Sequence, residues 1–219
     1  MSPARNTRRG GPPLADRAYD GLRDRIVTLA IPPGGAINED ALRRELGLGR
    51  TPLREAIKRL ALENLVVVLP RRGTFTSQIN IADLTAISDV RAVLEGHAAY
   101  RAAELLRDED EVVLEALLIA LAESRDSDDP QALMALDARV HRFVHHAAAN
   151  PYLEETLARY FNLSLRIWHL VLGRLPHLSA RVHDHGDLLE AIGDRDPFRA
   201  RAVMVEHIET FADEIRVAL

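Results

Sequence analysis

The sequence predicts a mostly α-helical protein, with an N-terminal winged helix-turn-helix followed by an antiparallel all-α bundle of about six helices. Residues 42–60 contain a short helical pattern, a glycine-containing turn and a second helical pattern. Two short segments rich in β-branched residues, at 65–69 and 74–77, flank the turn sequence Pro-Arg-Arg-Gly. Beyond residue 80 the apolar residues recur only at helical spacing.

Composition and charge restrict the class of protein. No run approaches the roughly 18 apolar residues needed to cross a bilayer, so we expect no membrane association, and the absence of cysteine fits a cytoplasmic location. Residues 1–78 contain 14 Arg and Lys against 8 Asp and Glu, whereas residues 79–219 contain 14 against 25, together with all nine histidines. This asymmetry indicates a polyanion-binding module joined to a part with a different task.

The first part of the chain has the pattern of three helices. Residues 1–13 are polar, basic and rich in Pro and Gly, which predicts a disordered arm. Helical spacing then predicts helices at residues 14–30, 38–46 and 51–64. Thr51 is expected to cap the third helix, with Pro52 at its first position. We assign residues 14–78 to one domain.

The third helix has one apolar and one cationic face. Its apolar residues recur at i, i+4 and i+7, which predicts burial of Leu53, Ile57 and Leu60. Its cationic residues recur every four positions on a different face: Arg50, Arg54 and Lys58. A helix-turn-helix uses this arrangement, since the helix must pack on a core while its N-terminal end enters the major groove. The hairpin that follows has Arg71 and Arg72 at its tip, a composition suited to phosphate or minor-groove contact.

Residues 79–219 are assigned to a second, all-helical domain. Apolar periodicity predicts helices at 83–107, 110–124, 131–149, 152–172, 179–193 and 197–217. Bundles of this kind place ligand sites on facing inner surfaces.

Four residues of the bundle have side chains that suit a metal ion. Asp137 and His141 lie four apart and therefore share a helix face, whereas His185 and His207 lie on the fifth and sixth predicted helices. Taken singly, such histidines are usually structural. Together, one carboxylate and three imidazoles suit a divalent transition metal such as Zn, Ni, Fe or Mn.

The run PPGGAINEDALRRELGLGRTPLREAIKRLALENLVVVLPRRGTF resembles the N-terminal domain of the GntR family of bacterial transcription regulators. The resemblance implies that Arg50, Thr51 and Arg54 contact DNA and that Arg71, Arg72 and Gly73 form the wing tip. Two positions depart from the family pattern. Gly49 replaces a Ser or Thr that can bind phosphate, and Asp40 stands where some members have a base-reading Arg, which implies a different operator.

The segments ALDARVHRFVHHAAANPYL and HGDLLEAIGDRDPFRARAVMVEH resemble the FCD ligand-binding domain of the FadR-type GntR subfamily. In metal-binding members the matching Asp and His positions are ligands, which implies that role for Asp137, His141, His185 and His207. The family also implies a homodimer that binds a double-stranded DNA operator and a small-molecule effector, for which a carboxylate is expected.

Two further residues are candidates for effector binding. Arg91 interrupts the apolar stripe of the first bundle helix, so it either pairs with an effector carboxylate or pairs with Glu95 one turn away. Asn150 either faces the ligand pocket or caps the end of the third bundle helix.

Three functions are compatible with these features. The first is a regulator whose effector, an organic acid, binds at the metal. The second is a regulator for which the metal ion itself is the signal. The third is a metalloenzyme, but it requires a general base and substrate-positioning residues that the sequence does not show, so we expect no enzyme activity.

Overall fold

The computed structural model describes residues 13–125, 127, 129–174 and 178–218. The chain divides between Ile79 and Asn80 into two compact units. Residues 1–12 of the predicted basic arm lie outside the described residues. Among the described residues, no helix combines the length and apolar character needed to cross a membrane.

The first unit is a winged helix-turn-helix. Its helices are α1 (Leu14–Val27), α2 (Glu39–Leu46) and α3 (Arg50–Leu62), followed by strands β1 (Val66–Leu69) and β2 (Gly73–Thr76). The strands pair antiparallel, as predicted. Helices α1 and α3 pack together, and their fully or almost fully buried apolar side chains include Leu22, Ile26, Leu53, Ile57 and Leu60.

The ends of α2 and α3 set the turn between them. Asn38 caps α2, since its Oδ1 accepts a hydrogen bond from the backbone N–H of Ala41 at 2.9 Å. Gly47 ends α2 in the left-handed conformation, with φ of 64°, which a residue with Cβ adopts only at a cost. The prediction for the start of α3 was wrong: Gly49 is the N-cap, so Thr51 already lies inside the helix and Pro52 is its third residue. Pro is tolerated there because the first-turn N–H groups have no partner within the helix.

The second unit is an all-α bundle. Its described helices are α4 (Asp83–Leu105), α5 (Asp108–Glu123), α6 (Pro130–Ala147), α7 (Pro151–Val171), α8 (Leu178–His183), α9 (His185–Gly193) and α10 (Pro197–Ala218), with a 3₁₀ turn at Leu172–Arg174. The mostly helical fold class is therefore confirmed.

The predicted fifth bundle helix is in fact two helices, α8 and α9, separated at Asp184. A side chain competes for the backbone at this point. The Nδ1 of His185 lies 3.0 Å from the carbonyl oxygen of Val182, which in a continuous α-helix would accept from the N–H of Gly186. Periodicity alone does not register such a break, because the apolar residues keep helical spacing on both sides.

Helix α4 is central to the second unit, since it contacts α6, α7, α9 and α10. Its small residues allow close packing. A Cβ on Gly96 would lie 2.7 Å from Cγ2 of Val205 on α10, so a larger residue would separate the two helices. The same helix also buries two charged side chains, Arg91 and Glu95, inside the bundle.

Candidate functional site

The first unit exposes every residue for which we predicted DNA contact: Arg50, Thr51, Arg54, Lys58, Arg71, Arg72 and Gly73. The five cations among them form no salt bridge within the described part of the chain. Arg59, on another side of α3, differs: it pairs with Asp16 at 2.7 Å and lies over the Tyr19 ring at 4.1 Å from its centroid. The arginines of α3 therefore divide into one that supports the fold and two that face solvent.

A cavity of about 510 Å³ lies where the N-terminal ends of α2 and α3 meet the wing. Arg50, Arg54 and Gly73 line it together with Asp40 and Arg43. The structure thus brings together three of the seven predicted DNA-contact residues. The other four do not line this cavity: Thr51, Lys58, Arg71 and Arg72.

Two acidic residues at the start of α2 shape the same surface. Asp40 accepts from Arg43 at 2.8 Å, so its carboxylate is partly neutralised. Glu39 Oε1 accepts from the Thr74 hydroxyl at 2.9 Å, which ties the start of α2 to strand β2. The wing is therefore held beside the helix that contains Asp40.

In the second unit the four predicted metal ligands converge. The Nε2 atoms of His141, His185 and His207 lie 3.8, 3.7 and 3.9 Å from Asp137 Oδ1. All four side chains are buried, and their candidate ligand atoms lie within 4.8 Å of one another. With metal–ligand distances of about 2.1 Å, atoms bound to one ion are separated by roughly 3.0–4.2 Å. The spacing of these atoms therefore fits a single ion.

Neighbouring groups orient two of the imidazoles toward the centre of this cluster. A carbonyl oxygen only accepts, so the His185 Nδ1 that faces Val182 carries the proton and leaves the Nε2 lone pair free. His141 Nδ1 lies 2.5 Å from Glu95 Oε2, a contact that turns the opposite ring nitrogen, Nε2, toward the cluster. The two Nε2 atoms face each other at 3.3 Å. This separation suits two nitrogens that bind one ion.

The electrostatic environment favours neutral imidazoles, which are the metal-binding form. Burial, together with the neighbouring His141, lowers the pKa of His185 to about 3. Burial and the nearby His185 lower the pKa of His207 well below its ordinary value. Burial raises the pKa of Asp137, because a buried carboxylate is costly without a nearby cation.

Some buried polar atoms of the cluster have no hydrogen-bond partner among the described residues. They are Asp137 Oδ2 and both ring nitrogens of His207. Unsatisfied buried atoms are rare in native proteins and call for a physical explanation. A bound cation would satisfy Asp137 and one of the two ring nitrogens of His207, so the donor set fits a divalent metal.

Glu95 and His145 border the cluster, and the sequence analysis did not assign them to it. Burial would raise the pKa of Glu95, but Arg91, His141 and His145 lower it well below its ordinary value. The buried His145 has its Nε2 3.2 Å from Glu95 Oε2, without hydrogen-bond geometry. The four-residue spacing of His141 and His145 is a signal that places both on one face of α6.

The two candidates for effector contact have different surroundings. Arg91 pairs with Glu95, its Nε donating to Oε1 at 2.5 Å, and its guanidinium lies 4.9 Å from the Trp168 ring centroid. Its Nη2 is buried and has no hydrogen-bond partner among the described residues. Asn150 caps the start of α7 through its Oδ1, rather than the end of the preceding helix.

We expect Glu95→Gln to weaken metal binding about 10–100-fold while leaving one ion per chain, because a neutral amide polarises His141 less than a carboxylate does. Isothermal titration of the metal-free protein measures this change. The matched control is Glu154→Gln, which alters a carboxylate beside an exposed histidine, His146, at 3.3 Å. Unchanged affinity in a folded Glu95→Gln protein would contradict the orienting role of Glu95.

Comparison with known families identifies both units. The family described as "Bacterial regulatory proteins, gntR family" matches residues 14–76, and the FCD domain matches residues 86–210. The chain belongs to the GntR family. It is a DNA-binding transcription regulator with an FCD effector-binding domain, and the expectation that it is not an enzyme is confirmed by the family and its members.

Individual proteins are similar to this chain along most of its length. The transcriptional repressor RspR of Escherichia coli K12 is 25% identical over 208 residues, covering 93% of this chain and 90% of that protein. The repressor GlaR of the same strain is 29% identical over 202 residues, covering 88% and 91%. The solved structure of E. coli McbR/YncC has the same fold, with a TM-score of 0.82 at 22% identity over 94% of this chain and 99% of that chain.

Proposed function

We propose that this GntR regulator acts in the cytoplasm as a homodimer. It binds a DNA operator through its first unit and a divalent metal through its second, and a small organic acid, expected to be a carboxylate, binds at that metal and controls operator affinity. The proposed DNA contacts are Arg50, Thr51, Arg54, Lys58, Arg71, Arg72 and Gly73. The proposed metal ligands are Asp137, His141, His185 and His207.

The observation that supports the metal centre best is the convergence of three imidazole Nε2 atoms on one carboxylate oxygen. The Nδ1 of His185 faces the carbonyl oxygen of Val182 and the Nδ1 of His141 faces the carboxylate of Glu95, so that each Nε2 is directed toward the ion. Such orientation by outer groups is typical of metal sites, where it raises the basicity of the ligand.

A bound divalent ion supplies positive charge and open coordination positions that attract a carboxylate. Four protein ligands leave such positions on a six-coordinate ion. Arg91 supports the same proposal, since its buried Nη2 still has capacity to donate. Its pairing with Glu95 is compatible with this role, because the pair uses Nε. Asn150 is the weaker candidate, because its Oδ1 already accepts two backbone N–H groups.

An effector changes operator affinity only by binding more tightly to one arrangement of the DNA-binding units than to another. In the alternative function the metal ion itself is the effector, and the same rule applies to it. The unsatisfied ring nitrogens of His207 are compatible with both functions. The two functions are distinguished by whether the metal ion alone, or only the metal ion together with an organic acid, changes the affinity for DNA.

The test uses full-length protein freed of metal by chelation and an operator selected from random duplex DNA. We expect the metal alone to change operator affinity less than about twofold, and the metal with a matching carboxylate to change it at least fivefold, within the usual range of allosteric coupling. Fluorescence anisotropy with Zn²⁺, Ni²⁺ or Mn²⁺, and then with a panel of carboxylates, measures both effects. A large response to metal alone would favour the metal-sensing alternative.

A further inference from the structure

A second cavity at the surface of the bundle shares one residue with the proposed metal centre. It has a volume of about 220 Å³ and lies between α10 and the segment that contains α8 and α9. The residues that line it include Arg181, Asp184, Asp187, Glu206, His207 and Thr210. His207 is therefore shared by the cavity and the ligand cluster.

His207 is buried, whereas the other residues named as lining this cavity are half-buried or exposed. Its side chain is only 4% exposed, and its Nε2 is 3.9 Å from Asp137 Oδ1. Neither ring nitrogen has a hydrogen-bond partner among the described residues. An unsatisfied buried imidazole in the lining of a surface cavity is suited to receive a cation that enters from solvent.

The walls of the cavity are acidic. Asp187 and Glu206 are exposed at its rim, and Asp184 is half-buried beside them. Arg181, the cationic residue among those named as lining the cavity, already forms salt bridges with Asp184 at 2.9 Å and with Glu214 at 2.7 Å. Arg199 approaches Asp187 only to 3.8 Å, at an exposed position.

This excess of carboxylates determines which ligand the cavity admits. A cleft lined by one sign of charge concentrates ions of the opposite sign and raises their association rate. Carboxylates at the rim attract a hydrated divalent cation and repel an anionic organic acid. The larger groove between α4 and α10, of about 520 Å³, contains none of the four proposed ligands in its lining.

We infer that the acidic cavity is the entry route by which a divalent metal ion reaches His207 and then the other three ligands. The inference rests on the proposed metal centre. The rim carboxylates act on the rate of metal uptake, whereas the four ligands determine how many ions are bound. Because the attraction is electrostatic and the rim is exposed, its effect weakens as ionic strength rises.

The test follows Co²⁺ uptake by metal-free, full-length protein in a stopped-flow instrument, using the visible absorption of coordinated Co²⁺. We expect the double variant Asp187→Asn/Glu206→Gln to bind one Co²⁺ per chain but about tenfold more slowly than wild type at low salt. In about 1 M salt, where the Debye length is about 3 Å, the two proteins should bind at similar rates.

The matched control is Asp89→Asn/Glu209→Gln, which removes the same two charges from exposed positions in the α4–α10 groove. It should take up Co²⁺ at the wild-type rate. A second variant, Thr210→Trp, narrows the cavity without changing its charge and should slow uptake at every salt concentration.

Three results would overturn the inference. They are stoichiometric binding with wild-type rates in both cavity variants, equal slowing in the control, and failure of the wild-type protein to bind Co²⁺. The last result would also remove the proposed metal centre, whereas the first two would leave that centre intact and reject only the route.

Discussion

Replacing Arg54 by alanine is expected to weaken specific operator binding by about 1–3 kcal/mol, which corresponds to roughly 5–150-fold in affinity. Arg54 is exposed on α3, it forms no salt bridge among the described residues, and it lines the cavity where α2, α3 and the wing meet. Removing the Arg54 side chain should therefore change the free energy of unfolding little, whereas the protein–operator complex loses a charged hydrogen-bond donor. Fluorescence anisotropy with the selected operator and with unrelated DNA measures the change.

The comparison with unrelated DNA separates two roles for Arg54. Loss of a base contact lowers specific affinity more than non-specific affinity, whereas loss of a phosphate contact lowers both and reduces the salt dependence of binding. Arg17→Ala serves as control, because it removes the same charge from an exposed position of α1 in the same unit. If Arg54→Ala binds the operator as wild type does, α3 is not the recognition helix of this protein.

We expect the second large effect from His185→Ala. Loss of a residue that only hydrogen-bonds to a metal ligand typically lowers metal affinity 10–100-fold, and loss of the ligand His185 should lower it further. The variant removes one of the Nε2 atoms that face Asp137 Oδ1 and also frees the carbonyl of Val182. Metal content after gel filtration and a melting curve with and without chelator measure the result. Chelation should lower the melting temperature of the wild type but not that of the variant, since an ion that binds only the folded state stabilises it.

A control is needed because His185 is buried, and its removal also affects packing. His146→Ala removes an exposed histidine of α6 and should retain the metal. His185→Asn keeps a polar group and limits the loss of volume, so it distinguishes loss of a ligand from loss of fold. One ion per chain with unchanged affinity in both His185 variants would contradict the proposed centre.

Local patterns were sufficient for the helix-turn-helix. The i, i+4, i+7 spacing of Leu53, Ile57 and Leu60 predicted the buried face of α3, and all three side chains are buried. The turn sequence between two β-branched segments predicted the antiparallel wing. These elements were predictable because residues close in sequence determine helix faces and hairpin turns.

Local patterns failed at two helix boundaries. Thr51 has the chemistry of a cap, but α3 begins one residue earlier, after Gly49. The segment from 179 to 193 keeps helical spacing, yet His185 takes a backbone acceptor and the helix is interrupted at Asp184. Periodicity records which residues are apolar, but it contains no information on which group uses a given carbonyl.

The sequence by itself determined which side chains share a helix face: Arg50 with Arg54 on α3, and Asp137 with His141 on α6. Only the tertiary structure decided which faces meet. Glu95 contacts His141 across 46 residues of sequence, and it does so because α4 packs against α6 in the interior of the bundle. A helical repeat determines in which direction each side chain points around its own helix. Which two helices pack together depends on how all their side chains fit against one another.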